Sequence, residues 1–117
     1  MKRTDVVIIQ KIIGYCDDIS SLLERFNTSY ELYLNDIAFQ YACNMCIIQI
    51  GELTNRLSVE LKAETPDIPW YAIRAMRNIH AHDYERVDFE TMWETLTQDI
   101  PVLKVQLTAL LAKSTNG

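Results

Sequence analysis

The stretch RAMRNIHAHDY, Arg74 to Tyr84, gathers two arginines, two histidines, an aspartate and a tyrosine, and the chain has no other histidine. These are the residue types that handle phosphate and protons. A guanidinium offers a fixed fork of donors to phosphate oxygens. An imidazole titrates near neutral pH and can give or take a proton. Spacing decides who can meet whom. Arg77 and His80 are three residues apart and are neighbours on a continuous helix. Arg77 and His82 are five apart, roughly 140° around the axis, so an unbroken helix would turn them away from each other. They meet only where the helix ends or bends between them, or where the pair is completed across a dimer. Weak helix formers at Asn78, Ile79 and His80, and again at Asp83-Tyr84, make an ending here plausible. A purely stabilising role stands beside the chemical one, because cations near a helix C-terminus favour the macrodipole. Metal binding is not expected: His80 and His82 do not share a helix face, and Asp83 is the one nearby carboxylate before Glu85.

The elements that must position these residues read as helices throughout. From Asp5 to Phe26, Ile8, Ile12, Cys16, Ile19, Leu23 and Phe26 recur at three- and four-residue steps, with Thr4 or Asp5 as N-cap. Phe26 to Ser29 reads as a loop. A second, long helix is expected from about Tyr30 to Leu61. Between Ile37 and Leu53 it is apolar nearly all round and must be covered on most sides. A chain this small can hardly cover it alone, which predicts a homodimer. Glu52, in that stretch, is expected to be structural, meeting an arginine (Arg77 among the candidates) or a backbone donor. Ala63 to Pro69 breaks the helix, and Pro69 suits the first turn of a third helix beginning near Trp70. That helix carries Tyr71, Ile73, Met76 and Ile79 and delivers Arg77 and the histidines. Arg74, one turn earlier, could widen a basic rim or simply face solvent. Asp88 reads as the N-cap of a fourth helix, with Thr91 rather than Glu at the third position. Pro101 either kinks that helix or starts a fifth. Trp70 and Trp93 read as core anchors, and Ser114 to Gly117 as a frayed tail. The expectation is an all-α, up-and-down bundle of four to five helices, one domain over residues 1–117, acting as a dimer.

Composition narrows the function. Hydrophobic residues make up 49% and charged residues 23% of the 117, ordinary values for a globular protein. The net charge of −5 argues against a general electrostatic grip on nucleic acid, though not against a locally basic cleft, and no DNA partner is expected. Cys16, Cys43 and Cys46 are odd in number and form no disulfide framework. Cys43 and Cys46 have C-x-x-C spacing but lie inside an apolar run without turn residues, so they read as reduced core thiols rather than a zinc or redox motif. Gln10 and Lys11 interrupt the apolar N-terminus, which is neither a signal peptide nor a membrane span. A cytoplasmic address, no membrane and no cofactor are the resulting expectations.

The motif and its flanks resemble a known family. Arg77, four residues (Asn78, Ile79, His80, Ala81), then His82, Asp83 and Tyr84 match the arginine–histidine–tyrosine signature of HEPN-domain proteins of the HepT type, the toxin half of HEPN/MNT toxin–antitoxin systems. Ile47 to Ser58, with Gly51-Glu52, resembles that family's second helix. Ile68 to Asn78 resembles its approach to the motif, and Val87 to Leu107 its final helix with an aspartate-isoleucine-proline step. The likeness covers nearly the whole chain. It implies a metal-independent endoribonuclease in which Arg77 and His82 of two copies face a shared cleft. His82 would be the general acid or base, Arg77 the phosphate clamp and Asn78 a positioning group. His80 has no fixed role in the family and, with Arg74, could belong to an RNA-binding rim. The resemblance further implies that a partner nucleotidyltransferase silences the toxin by transferring AMP to Tyr84. Without the family, Tyr84 is an ordinary helix-end aromatic. Two other classes stay open: a non-catalytic HEPN-like module that binds a nucleotide or partner, and a purely structural helical dimer. The complete Arg77, His82 and Tyr84 set favours catalysis over both.

Overall fold

The computed structural model describes residues 1–81 and 88–116, with side chains for 1–76 and 88–114. Every regular element among them is helical, an all-α bundle. Four long helices carry it: α1 (Arg3–Arg25), α3 (Ile37–Asn55), α5 (Trp70–Ala81) and α7 (Ile100–Asn116). Three short ones, α2 (Tyr30–Asn35), α4 (Val59–Glu64) and α6 (Phe89–Glu94), join them. α3 packs against both α1 and α5, and α7 lies along α1. None of the described helices is long and apolar enough to cross a membrane.

α1 follows its sequence pattern closely. Ile9, Ile12, Cys16, Ile19 and Leu23 are buried on one stripe. Its start differs from expectation. The N-cap position is Lys2 and no side chain caps it. Asp5 is instead buried inside the first turn, where its carboxylate accepts from the Ser58 backbone N–H at 2.9 Å and the Ser58 hydroxyl at 2.5 Å. A partner 53 residues away thus claims the carboxylate that local spacing assigns to capping.

The long second helix expected over Tyr30 to Leu61 is three pieces, because two polar residues act as caps rather than as interior positions. Asp36 accepts from the Phe39 N–H at 3.0 Å and starts α3. Ser58 accepts from the Leu61 N–H at 3.2 Å and starts α4. An N-cap replaces a lost intrahelical acceptor, so each break is stabilised where it falls. Before them, α1 ends through Asn27 and Thr28, both left-handed at φ 58° and 48°, with the Thr28 N–H donating to the Leu23 carbonyl at 2.7 Å. That reversed turn aims α2 back over the core.

Pro101 resolves in favour of a continuous but widened helix. It has no N–H for the Thr97 carbonyl, and its ring would crowd that carbonyl in a regular α-turn. Residues Thr95–Asp99 form a π turn, in which the Ile100 N–H donates to the Thr95 carbonyl, and α7 follows. Asp88 caps α6 as expected, accepting from the Glu90 and Thr91 N–H groups. The helix reaches Asn116, past the start of the stretch read as a tail.

Candidate functional site

α5 carries the first part of the motif, up to Ala81, and it is pinned at its first turn. Trp70 is buried and its Nε1 donates to Thr65 Oγ1 at 2.8 Å, while that hydroxyl itself donates to the Leu61 carbonyl at 2.7 Å. Ile68 and Ile73 are buried beside it. Pro69 lies just ahead of the helix, and its carbonyl accepts from the Ile73 N–H. The structure places the backbones of Arg77, Asn78 and His80 on α5. Their side chains, and His82 and Tyr84 altogether, lie outside the described residues.

The chain is anchored again where it re-enters the core. Asp88 caps α6, and the Phe89 ring meets the Tyr33 ring edge-on at 5.9 Å. Tyr33 is fully buried in a cluster with Phe39 (5.5 Å) and Trp93 (5.5 Å), and Trp93 also touches Tyr30. Trp70 and Trp93 are therefore core anchors. The described chain thus leaves along α5, held at Trp70, and resumes at Asp88, held by Phe89.

Sequence reasoning missed the polar residues that stiffen this region. On α3, Gln40 and Asn44 are buried one turn apart. Gln40 Nε2 donates to the carbonyls of Tyr33 (2.7 Å) and Leu34 (3.1 Å), tying α2 to α3. Tyr33 donates its hydroxyl to Asn44 Oδ1 at 3.1 Å. Asn44 Nδ2 and Thr54 Oγ1 are buried with no hydrogen-bond partner among the described residues. The readable signal was two amides at a four-residue step inside an otherwise apolar run. Such groups are tolerated in a core only when something satisfies them. Glu52 is exposed on α3 rather than buried, and the side chain of Arg77, one of its expected partners, lies outside the described residues.

Electrostatics mark one edge. Arg74 is exposed, with its guanidinium 5.7 Å from the centroid of the Tyr71 ring, a cation–π distance. Lys62, on α4, has its pKa pushed down by desolvation and then by the charge of Arg74. Two cations thus share one edge beside the start of α5, in a chain whose net charge is −5. Lys62 had not been singled out from sequence; its role is visible only once α4 folds beside α5. No cluster of histidine, cysteine and carboxylate groups suited to a metal occurs among the described residues.

Comparison with known proteins adds a family. Residues 12–110 match the model of a family described as ribonuclease HepT-like. Two proteins of Methanocaldococcus jannaschii, each named provisionally as an RNase, are 31% and 30% identical to the chain over 110 residues. The alignments cover 94% of this chain and 89% and 93% of theirs. A protein of Thermococcus cleftensis named provisionally as ribonuclease HepT is 34% identical over 95 residues, 77% of this chain and 86% of its own. No solved structure matches.

Proposed function

Because the chain belongs to the ribonuclease HepT-like family, we propose that it is a metal-independent endoribonuclease, the toxin of a HEPN/MNT toxin–antitoxin pair, acting as a homodimer of one-domain subunits in the cytoplasm. The observation that carries this reading is the motif Arg77-x4-His82-x-Tyr84, complete in sequence and begun on a helix pinned to α3. RNA itself supplies the nucleophile. A base removes the 2′-hydroxyl proton, the oxygen attacks the adjacent phosphorus, and the departing 5′-oxygen takes a proton from an acid. One imidazole cannot be neutral acceptor and charged donor at once. Two His82 side chains, one from each subunit, fill both roles, while Arg77 holds the phosphate oxygens as charge builds on them. Asn78 positions the substrate, and Arg74 and His80, joined now by Lys62, form the rim that draws in RNA. The three buried free cysteines suit a reducing compartment.

Cleavage of RNA by the purified protein in the presence of a chelator tests the reading. Replacing His82 or Arg77 by Ala is expected to lower the rate by roughly a hundredfold or more. Undiminished cleavage by the His82→Ala protein removes that residue from the mechanism. Mixing the wild type with an excess of the His82→Ala protein should silence it if each cleft needs an imidazole from both subunits, and leave its activity unchanged if each subunit works alone. Tyr84 is the proposed acceptor of AMP from the antitoxin nucleotidyltransferase. The bulk and negative charge of the adduct would occupy the phosphate site. Intact mass after incubation with that enzyme and ATP should rise by one AMP in the wild type and stay unchanged in Tyr84→Phe.

A further inference from the structure

α5 carries a bare aromatic ring in its first turn. Tyr71 is 79% exposed, and the guanidinium of Arg74, one turn on, lies over the ring at 5.7 Å from its centroid. Lys62 approaches from α4, close enough that the charge of Arg74 adds to desolvation in lowering its pKa. Neither cation is in an ion pair with a described residue. Of the two carboxylates that flank Lys62 on α4, Glu60 is held by Lys2 at 3.4 Å and Glu64 stands exposed at the helix end. The three groups keep fixed relative positions. Ser58 caps α4 and is itself held by Asp5, and the Thr65 hydroxyl links the Leu61 carbonyl to Trp70 Nε1. α4 and the first turn of α5 are thereby locked together, so the surface is formed before any ligand arrives.

The geometry points to a nucleotide subsite on this edge: the free face of Tyr71 stacks one unpaired base, while Arg74 and Lys62 hold a phosphate beside that base. The inference rests on the reading that the chain acts on RNA, and it names the form of RNA that the site takes. Each group supplies what the others lack. An aromatic ring accepts any base, because every base has a π face. Arg74 covers one face of the ring, and the exposure of Tyr71 leaves the other open. Two like charges at one edge repel each other, and a phosphate between them removes that cost. In a chain of net charge −5, this pair is a local exception rather than a general grip on polyanions. A duplex does not fit, because its bases are already stacked and paired and its deep groove keeps side chains out. The edge therefore selects single-stranded or looped RNA. Tyr71 precedes Arg77 by six residues, roughly 9 Å along the α5 axis, a reach of about one or two nucleotides. The stacked base thus neighbours the bond to be cut and helps to choose it.

A strand that cannot be cut separates binding from cleavage. Fluorescence polarisation with a short, end-labelled 2′-O-methyl oligoribonucleotide should show the wild type binding the single strand and binding its duplex at least tenfold more weakly. Tyr71→Ala should weaken single-strand binding by roughly tenfold and leave its salt dependence unchanged, with helical circular dichroism intact. Tyr71→Phe keeps the ring and should keep the affinity. Arg74→Ala and Lys62→Ala should each weaken binding and lower the slope of log affinity against log salt by roughly one. Absence of single-strand binding, equal affinity for the duplex, or full affinity in Tyr71→Ala overturns the subsite. So does inorganic polyphosphate that competes as well as unlabelled strand, because charge alone then accounts for binding. If the uncuttable strand follows this pattern while unmodified RNA is never cleaved, the nuclease reading falls and the subsite stands. Cleavage of RNA by Tyr71→Ala with the wild-type KM overturns only the subsite.

Discussion

At the scale of single residues, Asp5 shows how a long-range contact takes over a local signal. Its position near the start of a helical pattern marks it as a cap, yet it holds α1 to α4 by accepting two hydrogen bonds from Ser58. Ser58 in turn caps α4, so one carboxylate sets the geometry of a whole connection. Removing it leaves a buried N–H and a hydroxyl without their acceptor. Asp5→Ala should therefore cost about 2–3 kcal/mol, read as a lower urea midpoint. Asp5→Asn, which keeps an acceptor oxygen, should lose less. No local pattern reveals a partner 53 residues away, which is why this contact was not legible. The proposed catalytic set stands out in the sequence as residue types and spacing, because chemistry-bearing side chains are rare and clustered here; those side chains lie outside the described residues. The Lys62–Arg74 pair does not stand out, because it exists only after α4 and α5 come side by side.

At the scale of elements, the turn between α1 and α2 carries backbone strain. Thr28 is β-branched and left-handed at φ 48°, a conformation that crowds Cβ against the following carbonyl. Its hydroxyl contact with the Leu23 carbonyl is long, at 3.4 Å, and offsets little. Thr28→Gly should gain roughly 1 kcal/mol, measured by chemical denaturation, whereas Thr28→Val should gain nothing. The same region explains what the periodicity could and could not reveal. α1 has one polar and one apolar face, so its stripe is readable and its length came out nearly right. α3 is apolar on almost every side, so its period carries little information, and the breaks at Asp36 and Ser58 were hidden inside a pattern that looked continuous. Caps decided those boundaries. At Asp88 the cap stood between a lapse in pattern and a fresh stripe, and there the start of α6 was read correctly.

At the scale of the whole molecule, the three thiols report on the integrity of the core. Burial pushes Cys16 and Cys43 up to about 12 and Cys46 to about 11, with neighbouring acidic groups or thiols adding to the shift. A thiol whose folded pKa lies above its unfolded value near 9 stays protonated in the native state while the unfolded chain ionises. The unfolded state then holds fewer protons, so stability is intact below about pH 9 and falls between there and about pH 11 to 12, by up to ~1.4 kcal/mol per pH unit for each thiol. Urea titrations across that range check the slope. Replacing all three by alanine should flatten it, at some loss of packing. Below pH 9 the thiols should resist labelling until the protein unfolds, as buried, protonated core thiols do.

The uncharged run at residues 37–51 has a consequence for the chain before it is folded. Charges flanking an apolar segment normally keep nascent or refolding molecules apart, and here none interrupts fifteen consecutive positions. Until α1 and α5 cover it, α3 is the segment on which unrelated molecules will stick. Recovery from denaturant should thus worsen as protein concentration rises.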